Sequence, residues 1–319
     1  MRLWKPEIFQ GAVNKKQYFE GWYFKLVDKQ EKHSFAVIPG ISLSPSYSHS
    51  FIQFFSGHTG SAEYHTYTKN DFSFSKNEFI ASIADSSFSL NHLKLSITSP
   101  SQSVKADLRF KNIKSWPVSP FSPGVMGPFR FVPFMECYHG VLSFDHTIEG
   151  FITVNGETVD MTGGKGYIEK DWGISMPSSW IWMQTNHFDE DDVSLFGSVA
   201  KIPWLGRAFP GFIFGLFLKG KTYRFATYTG AKISHLSVTE THITIHIEDR
   251  KLLLKINADR EQGADLPAPQ LGAMTSKVNE SLRSKIAVEL INKKRKTVIF
   301  SGTGRNAGLE FVGQTSELF

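Results

Sequence analysis

The chain has 319 residues, 41 % of them hydrophobic and 20 % charged, which is typical of a globular protein long enough to bury two cores. The formal net charge is +5, but the basic residues are scattered apart from a cluster at 293–296 that fits a solvated turn, and no nucleic-acid-binding motif is present. Nucleic acid is therefore excluded as an expected partner, and the single cysteine, Cys137, excludes an intramolecular disulfide.

Nothing in the sequence predicts export or membrane insertion. The N-terminus lacks the apolar segment of a secretory signal. The most apolar run, residues 209–218, is much shorter than the ~20 residues of a membrane helix, and we interpret it as a buried strand. We therefore expect a cytoplasmic protein without an obligate protein partner, while peripheral contact with a membrane stays open.

The predicted elements, taken along the chain, are almost all strands. Residues 151–159 predict a hairpin, because Asn155 and Gly156 supply the two positive φ angles of a type I′ turn. Alternation at 241–247 predicts a later strand. Helical periodicity is weak, and its best candidate is 276–285. The pattern indicates an all-β protein built from sandwiches or barrels.

The chain contains the same unit twice. At an offset of 158, the aromatic strand around Trp22 superposes on the strand around Trp180. Offsets of 161 and 162 superpose three further segments in the same order, beginning at Phe51, Tyr64 and Glu78. A period this long excludes a solenoid. It predicts two tandem antiparallel β units that arose by internal duplication.

Two irregular segments interrupt the strand pattern. Residues 116–134 hold five of the 14 prolines, which cannot donate to a strand ladder, so we expect the connection between the units there. The predicted domains are accordingly 1–128 and 129–319. Residues 262–284 have no counterpart in the first unit, and a long insertion of this kind is often a lid or a site loop.

No common catalytic motif is present, and the eleven histidines do not fall at metal-ligand spacings. We therefore expect no metal site. The candidates for chemistry are carboxylates set among aromatic residues on predicted strands, namely Glu20, Glu169 and Asp171. Residues two apart share a strand face, so Tyr167 aligns with Glu169 and Asp171.

Paired carboxylates in an apolar wall favour a protonated acid, since burial and like charge both disfavour ionisation. Such an acid could protonate an alkene, and aromatic faces would stabilise the resulting carbocation. We rank Asp171 ahead of Glu169, and Glu20 third. The alternative is that Glu20 and Glu169 anchor the backbone through hydrogen bonds or an ion pair with Lys25 or Lys170.

The same motifs predict an aromatic-lined cavity that both tryptophan segments border. Its polar anchors would be Gln184 and Asn186, in keeping with pockets that are mostly apolar. Its walls would be formed by Trp22, Tyr23, Tyr167, Trp172, Trp180 and Trp182. The alternative is that these rings pack as solid core.

These residues resemble the tocopherol cyclase family. Residues 19–25 match its Phe-Glu-Gly-Trp-Tyr-Phe-Lys start, and Ala268-Pro269 matches a pair in the late insertion. The family's closing motif is matched by Ala307, Glu310 and Gly313. Its central motif is matched by Tyr167, Glu169, Lys170, Trp172, Gly173, Pro177, Trp180, Trp182, Gln184, Asn186 and Phe188.

The resemblance implies an intramolecular lyase, an isomerase that cyclises a prenylated hydroquinone to a chromanol without a cofactor. An acid protonates the nearest prenyl double bond, and the phenolic oxygen captures the tertiary cation. The family is also similar to two-barrel, lipocalin-like proteins that include carotenoid hydratases, so a related protonation or hydration of an isoprenoid stays open. The alternative function is a carrier that binds a lipophilic small molecule without chemistry.

The resemblance departs from the family at Asp171, where plant and cyanobacterial cyclases have asparagine. The aspartate adds an acid to the motif. It leaves open a different substrate or the loss of cyclase geometry.

Overall fold

The computed structural model describes residues 2–204 and 206–319, and this part of the chain contains strands and short 3-10 turns but no α-helix. The strands form two antiparallel sheets, one of twelve strands and one of ten. The all-β prediction is confirmed. Along the described residues, no helix has the length and apolar character to cross a membrane.

The first sheet has the order β4-β3-β2-β1-β12-β10-β9-β8-β7-β6-β5, and β11 pairs with β10. Its strands are β1 (Tyr18–Val27), β2 (Ser34–Leu43), β3 (His49–Ser56), β4 (Ser61–Thr68), β5 (Phe72–Phe74), β6 (Ile80–Ile83), β7 (Ser86–Ser89), β8 (His92–Thr98), β9 (Ser103–Lys114), β10 (Cys137–Val154), β11 (Glu157–Asp160) and β12 (Lys165–Gly173). One face of the sheet surrounds a single apolar core, which means that the sheet curls on itself.

The second sheet has the order β16-β15-β14-β13-β22-β21-β19-β18-β17, and β20 pairs with β21. Its strands are β13 (Trp180–Thr185), β14 (Val193–Trp204), β15 (Arg207–Leu218), β16 (Lys221–Ala226), β17 (Lys232–Val238), β18 (His242–Glu248), β19 (Leu252–Asp259), β20 (Ala264–Gln270), β21 (Ala273–Asn292) and β22 (Thr297–Val312). This sheet surrounds a core of its own.

The two sheet orders confirm the internal duplication. In each sheet three consecutive antiparallel strands lead to β1 or β13. The other neighbour of that strand is the last long strand of its sheet, β12 or β22. Trp22 and Trp180 therefore lie on equivalent strands. The fourth matched segment differs, because β6 lies six strands from β1 while β18 lies four from β13.

The offset of 158 superposes the strands but reverses their faces. Trp22 and Phe24 point into the first core, whereas Ile181 and Met183 point into the second. An offset of 159 superposes these core residues. Since a slip of one residue exchanges the two faces of a strand, Trp180 is on the face opposite to the one that Trp22 occupies in its own sheet.

The division into two compact units departs from the predicted boundary at 128/129. The first unit ends at Met176 and also includes Ala264–Lys277, and the second comprises the remainder of the chain. The proline-rich segment 116–134 joins β9 to β10, which are paired neighbours in the first sheet. It is therefore a connection within the first unit, because sheet pairing and not proline content decides where a unit ends.

The two turns predicted from local sequence, at 155–156 and 293–296, are confirmed. Asn155 and Gly156 have φ angles of 51° and 89° at the β10–β11 hairpin. The basic cluster 293–296 is the turn between β21 and β22. The helix candidate at 276–285 is wrong, since this segment is part of β21, which pairs with both β19 and β22. Long-range pairing overrides a weak helical pattern.

Candidate acid site

The strand β12 divides the predicted residues between two faces. Tyr167, Glu169 and Asp171 share one face, as the sequence predicted. Ile168 and Trp172 lie on the other face, within the first core. We call the face of the carboxylates the outer face of the first sheet; its residues Tyr167 and Glu169 are nevertheless buried.

Glu20 lies on the core side and forms a structural tie. Its Oε1 is 2.6 Å from Lys170 Nζ, and both side chains are fully buried. The same carboxylate accepts hydrogen bonds from the backbone N–H groups of Gln10 and Gly11 and from the Tyr18 hydroxyl. This arrangement agrees with the alternative interpretation of Glu20 as an anchor and gives it no place beside the outer-face carboxylates.

Lys170 extends the tie to the N-terminal segment and to the tryptophans. Its ammonium donates to the carbonyl oxygens of Pro6 and Ile8. It also lies 4.7 Å from the centroid of Trp22 and 5.0 Å from that of Trp172. Burial lowers the pKa of Lys170 to about 8, although Glu20 opposes that shift. Trp22 and Trp172 are thus core residues that stabilise a buried cation.

Four side chains form a polar chain across the outer face of β10 and β12. The Tyr167 hydroxyl donates to Glu169 Oε2 at 2.5 Å. His139, opposite Asp171 in the strand register, places Nδ1 2.7 Å from Asp171 Oδ1 and Nε2 3.6 Å from Glu169 Oε2. In the tautomer that protonates Nδ1, the imidazole donates to Asp171 Oδ1 and leaves the other carboxyl oxygen to carry a proton.

The polar chain is graded in exposure. The side chain of Asp171 is 24 % exposed, that of His139 16 % and that of Glu169 6 %, while Tyr167 is fully buried. Burial raises the pKa of Tyr167 well above its usual value, with a further contribution from Glu169. Tyr167 therefore stays a hydroxyl donor, and Asp171 is the most accessible member of the polar chain. His139 is thus an ionisable neighbour of Asp171 on the same face, which strand alternation alone did not predict.

Strand β1 continues the outer face beside these residues. Tyr23 lies opposite Glu169, and Gly21 lies opposite Asp171. Gly21 is in turn opposite Gly40 of β2. Because neither glycine has a side chain, the ring of Phe51 lies over Gly40 and reaches the edge of Gly21. Gly21 itself is only partly buried, so its backbone is accessible beside Asp171.

The insertion predicted as a lid is an anchored hairpin of the first unit. Gln53 Nε2 donates to Pro267 O at 3.1 Å, and Ser42 Oγ donates to Gly272 O at 2.7 Å. The N–H of Gly272 donates to Ile174 O at 2.7 Å. A Cβ on Gly272 would lie 2.2 Å from Leu43 O, so the backbone packs tightly here. Residues 264–277 therefore form a fixed wall that runs from β3 to the end of β12.

The second unit also places carboxylates among tryptophans. Trp180 Nε1 donates to Glu310 Oε2 at 2.7 Å. Glu310 of β22 lies opposite Trp182 of β13 on one side and opposite Glu280 of β21 on the other. These residues lie on the face turned away from the second core.

The remaining predicted anchors, Gln184 and Asn186, are buried at the end of β13. Gln184 lies opposite Gly308 of β22. A cavity bordered by both tryptophan segments stays a prediction.

His139, Glu169 and Asp171 are also the described residues whose ligand atoms cluster most like a metal site, all within 4.8 Å of one another. A metal would require these atoms to converge on one point. In the structure the two nitrogens of one imidazole instead face two different carboxylates. That geometry favours proton transfer over metal ligation.

Sequence reasoning missed His139 and Glu280. His139 lies in a strand without a motif around it, and only the β10–β12 register brings it to Asp171. Glu280 fell in the segment with helical periodicity. Glu310 was matched in the closing motif but was given no role.

Comparison with known proteins gives the family. The tocopherol cyclase-like family model matches residues 60–313, and the chain belongs to this family. A probable chloroplastic tocopherol cyclase of Oryza sativa subsp. japonica is 27 % identical over 193 residues, and the chloroplastic tocopherol cyclase of Zea mays is 26 % identical over the same length. Each match covers 57 % of this chain and 40 % of the plant protein, so the chain spans less than half the length of these relatives.

Solved structures share the fold at low identity. The crystal structure of CghA with Sch210972 matches with a TM-score of 0.58 at 9 % identity, covering 93 % of this chain and 89 % of that one. A putative AttH from Nitrosomonas europaea matches with a TM-score of 0.55 at 12 % identity, covering 95 % and 94 %. The two tandem, lipocalin-like β units are thus a known architecture, and the likeness extends no further than the fold.

Proposed function

We propose that this protein is an acid-catalysed cyclase of the tocopherol cyclase type, which converts a prenylated hydroquinone to a chromanol. Family membership supports the reaction class, and the Tyr167–Glu169–His139–Asp171 chain is the observation that carries the proposal. It supplies an acid on a largely buried face, beside the partly exposed backbone of Gly21. The substrate would be a small lipophilic molecule.

In the proposed reaction, the carboxylic acid of Asp171 gives its proton to the less substituted carbon of the nearest prenyl double bond. The other alkene carbon becomes a tertiary carbocation. The phenolic oxygen bonds to that carbon and then loses its proton to the Asp171 carboxylate. The product is an isomer of the substrate, so no oxidant, reductant or cofactor is consumed.

The neighbours of Asp171 have distinct roles in this proposal. His139 holds one carboxylate oxygen of Asp171 and leaves the other for substrate. Glu169 stabilises the imidazolium when His139 carries a second proton. Tyr167 fixes Glu169 through the hydroxyl that burial keeps protonated. A reserve proton on His139 would reprotonate Asp171 if the phenolic proton were lost to water.

The decisive substitution is Asp171→Asn, which keeps the shape of the side chain and removes the acid. Since the cyclases that this chain resembles have asparagine here, the proposed donor is particular to this chain. Turnover of a prenylated hydroquinone, followed by product analysis, should fall by the ~10²–10⁴-fold typical of losing a general acid. The melting temperature should not change, because Asn can still accept from His139. Asp85→Asn, the same change at an exposed position, is the control and should leave turnover unchanged.

Two outcomes would contradict the proposal. Unchanged turnover in Asp171→Asn would remove the donor role and direct attention to Glu169 or Tyr23. Binding of prenylated hydroquinone by the wild-type protein without any conversion would instead indicate a carrier. Glu169→Gln distinguishes the remaining roles, since unfolding of that variant would make Glu169 a structural residue.

A further inference from the structure

A second polar group lies on the outer face of the first sheet, three strands from Asp171. His49, Phe51 and Gln53 are alternate residues of β3 and therefore share a face. Their exposed fractions are 4 %, 2 % and 3 %. The intervening residues Ile52 and Phe54 belong to the core.

One polar atom of this group has no hydrogen-bond partner among the described residues. Gln53 donates its amide N–H to Pro267 O at 3.1 Å, which fixes the amide orientation and leaves Oε1 buried as a free acceptor. The imidazole of His49 is held by its neighbours, since Nε2 is 2.6 Å from the Tyr64 hydroxyl and the ring also interacts with the backbone of Tyr47. Buried polar groups are nearly always satisfied, so Gln53 Oε1 calls for a partner.

Phe51 lies between His49 and Gln53 on β3 and extends toward the acid. A Cβ on Gly40 would lie 2.5 Å from Phe51 Cζ, and a Cβ on Gly21 would lie 3.8 Å from it, so the ring reaches across β2. Gly21 is the residue opposite Asp171. Three strand spacings separate Phe51 from Asp171, about 14 Å between Cα atoms. The Phe51 ring covers part of this distance. The part that remains is about as long as one aromatic ring and a few carbon atoms.

We propose that His49, Phe51 and Gln53 form a binding subsite for a hydroxylated aromatic ring. The ring of the ligand packs against Phe51, and its hydroxyl donates to Gln53 Oε1. The imidazole of His49, whose centroid is 6.2 Å from that of Phe51, borders the subsite. Burial lowers the pKa of His49, so the imidazole is neutral and suits an uncharged ligand. The subsite rests on the proposed function only for the link between this ring and the alkene that Asp171 protonates.

The test uses a ring that cannot be cyclised. The dissociation constant of 2,3-dimethylhydroquinone is compared with that of its dimethyl ether, which has the same ring but no hydroxyl donors. We expect the wild-type protein to bind the hydroquinone about tenfold more tightly, as one buried hydrogen bond allows. Equal affinities would overturn the subsite without any variant being made.

Two variants separate the roles. Gln53→Leu should weaken binding of the hydroquinone by about 5–10-fold and leave binding of the ether unchanged. Phe51→Leu should weaken binding of both ligands alike. Gln30→Leu, at an exposed position, is the matched control. A Gln53→Leu variant that keeps the full preference for the hydroquinone would refute the inference. Asp171→Asn should keep the preference, so failure of the catalytic proposal and failure of the subsite are distinguishable.

Discussion

The buried pair of Glu20 and Lys170 predicts how the stability of the protein depends on pH. Burial lowers the pKa of Lys170 from 10.5 to about 8 in the folded protein. Between these two values the unfolded chain holds a proton that the folded protein has released. Because the unfolded state then binds more protons, the free energy of unfolding rises with pH across this window.

The size of the effect follows from the shift. Each unit of pKa difference corresponds to about 1.4 kcal/mol, and the window from pH 8 to pH 10 contains most of the difference. Lys170 should therefore add about 2 kcal/mol to stability over that interval. This contribution of Lys170 to the free energy of unfolding depends little on salt, since the pair with Glu20 is fully buried.

The variant must remove both charges. Lys170→Met alone leaves Glu20 buried without its cation, and breaking a buried pair costs about 3–5 kcal/mol, a large part of the stability of a typical domain. The double variant Glu20→Gln/Lys170→Met avoids this cost and should be less destabilised than the two single variants added together. Lys76→Met, at an exposed position, is the control for losing a lysine.

The assay is urea unfolding followed by tryptophan fluorescence at pH 7, 8, 9 and 10. The wild-type protein and Lys76→Met should gain stability between pH 8 and 10, and the double variant should not. Equal slopes in all three proteins would show that Lys170 keeps an ordinary pKa. The lowered pKa of Lys170 would then be refuted.

Two further predictions concern buried positions of the first unit. Burial lowers the pKa of His146 to about 3, so the unfolded chain is protonated first as the pH falls below about 6.5, and stability should drop by about 3 kcal/mol by pH 4.5. His146→Gln should flatten this acid slope in urea unfolding, and an unchanged slope would contradict the assignment. Gly40→Ala should destabilise by about 1–3 kcal/mol, because its Cβ would lie 2.7 Å from Glu20 O. Gly21→Ala should have the melting temperature of the wild type, since its Cβ would lie 3.6 Å from the nearest atom, Pro39 O. It should nevertheless lower turnover, because the added methyl group lies beside Asp171. Equal melting temperatures for Gly21→Ala and Gly40→Ala would count against this packing.

Strand alternation explains why the local part of the site was predictable. Tyr167, Glu169 and Asp171 share a face because they are two residues apart, whatever the strand pairs with. Lys170 points the other way for the same reason. The Asn155-Gly156 turn was equally local, since its conformation depends on the residues themselves.

Residues far apart in sequence were not predictable in the same way. Nothing near His139 indicates that it lies opposite Asp171, and nothing near Glu20 specifies Lys170 over Lys25 as its partner. These contacts depend on strand register, which core packing sets over the whole sheet. The face reversal between Trp22 and Trp180 has the same origin, because an offset of one residue is invisible to a motif match.

The sequence by itself determined the strand-rich composition, the duplication, the family motif and the carboxylates set among aromatic residues. The tertiary structure alone decided that 116–134 lies within the first unit and that 264–277 joins it as a fixed wall. It also decided which carboxylate is a structural tie and which lies beside His139. The physical reason is that alternation is a property of neighbouring residues, whereas burial and ion pairing depend on which strands the closed sheet brings together.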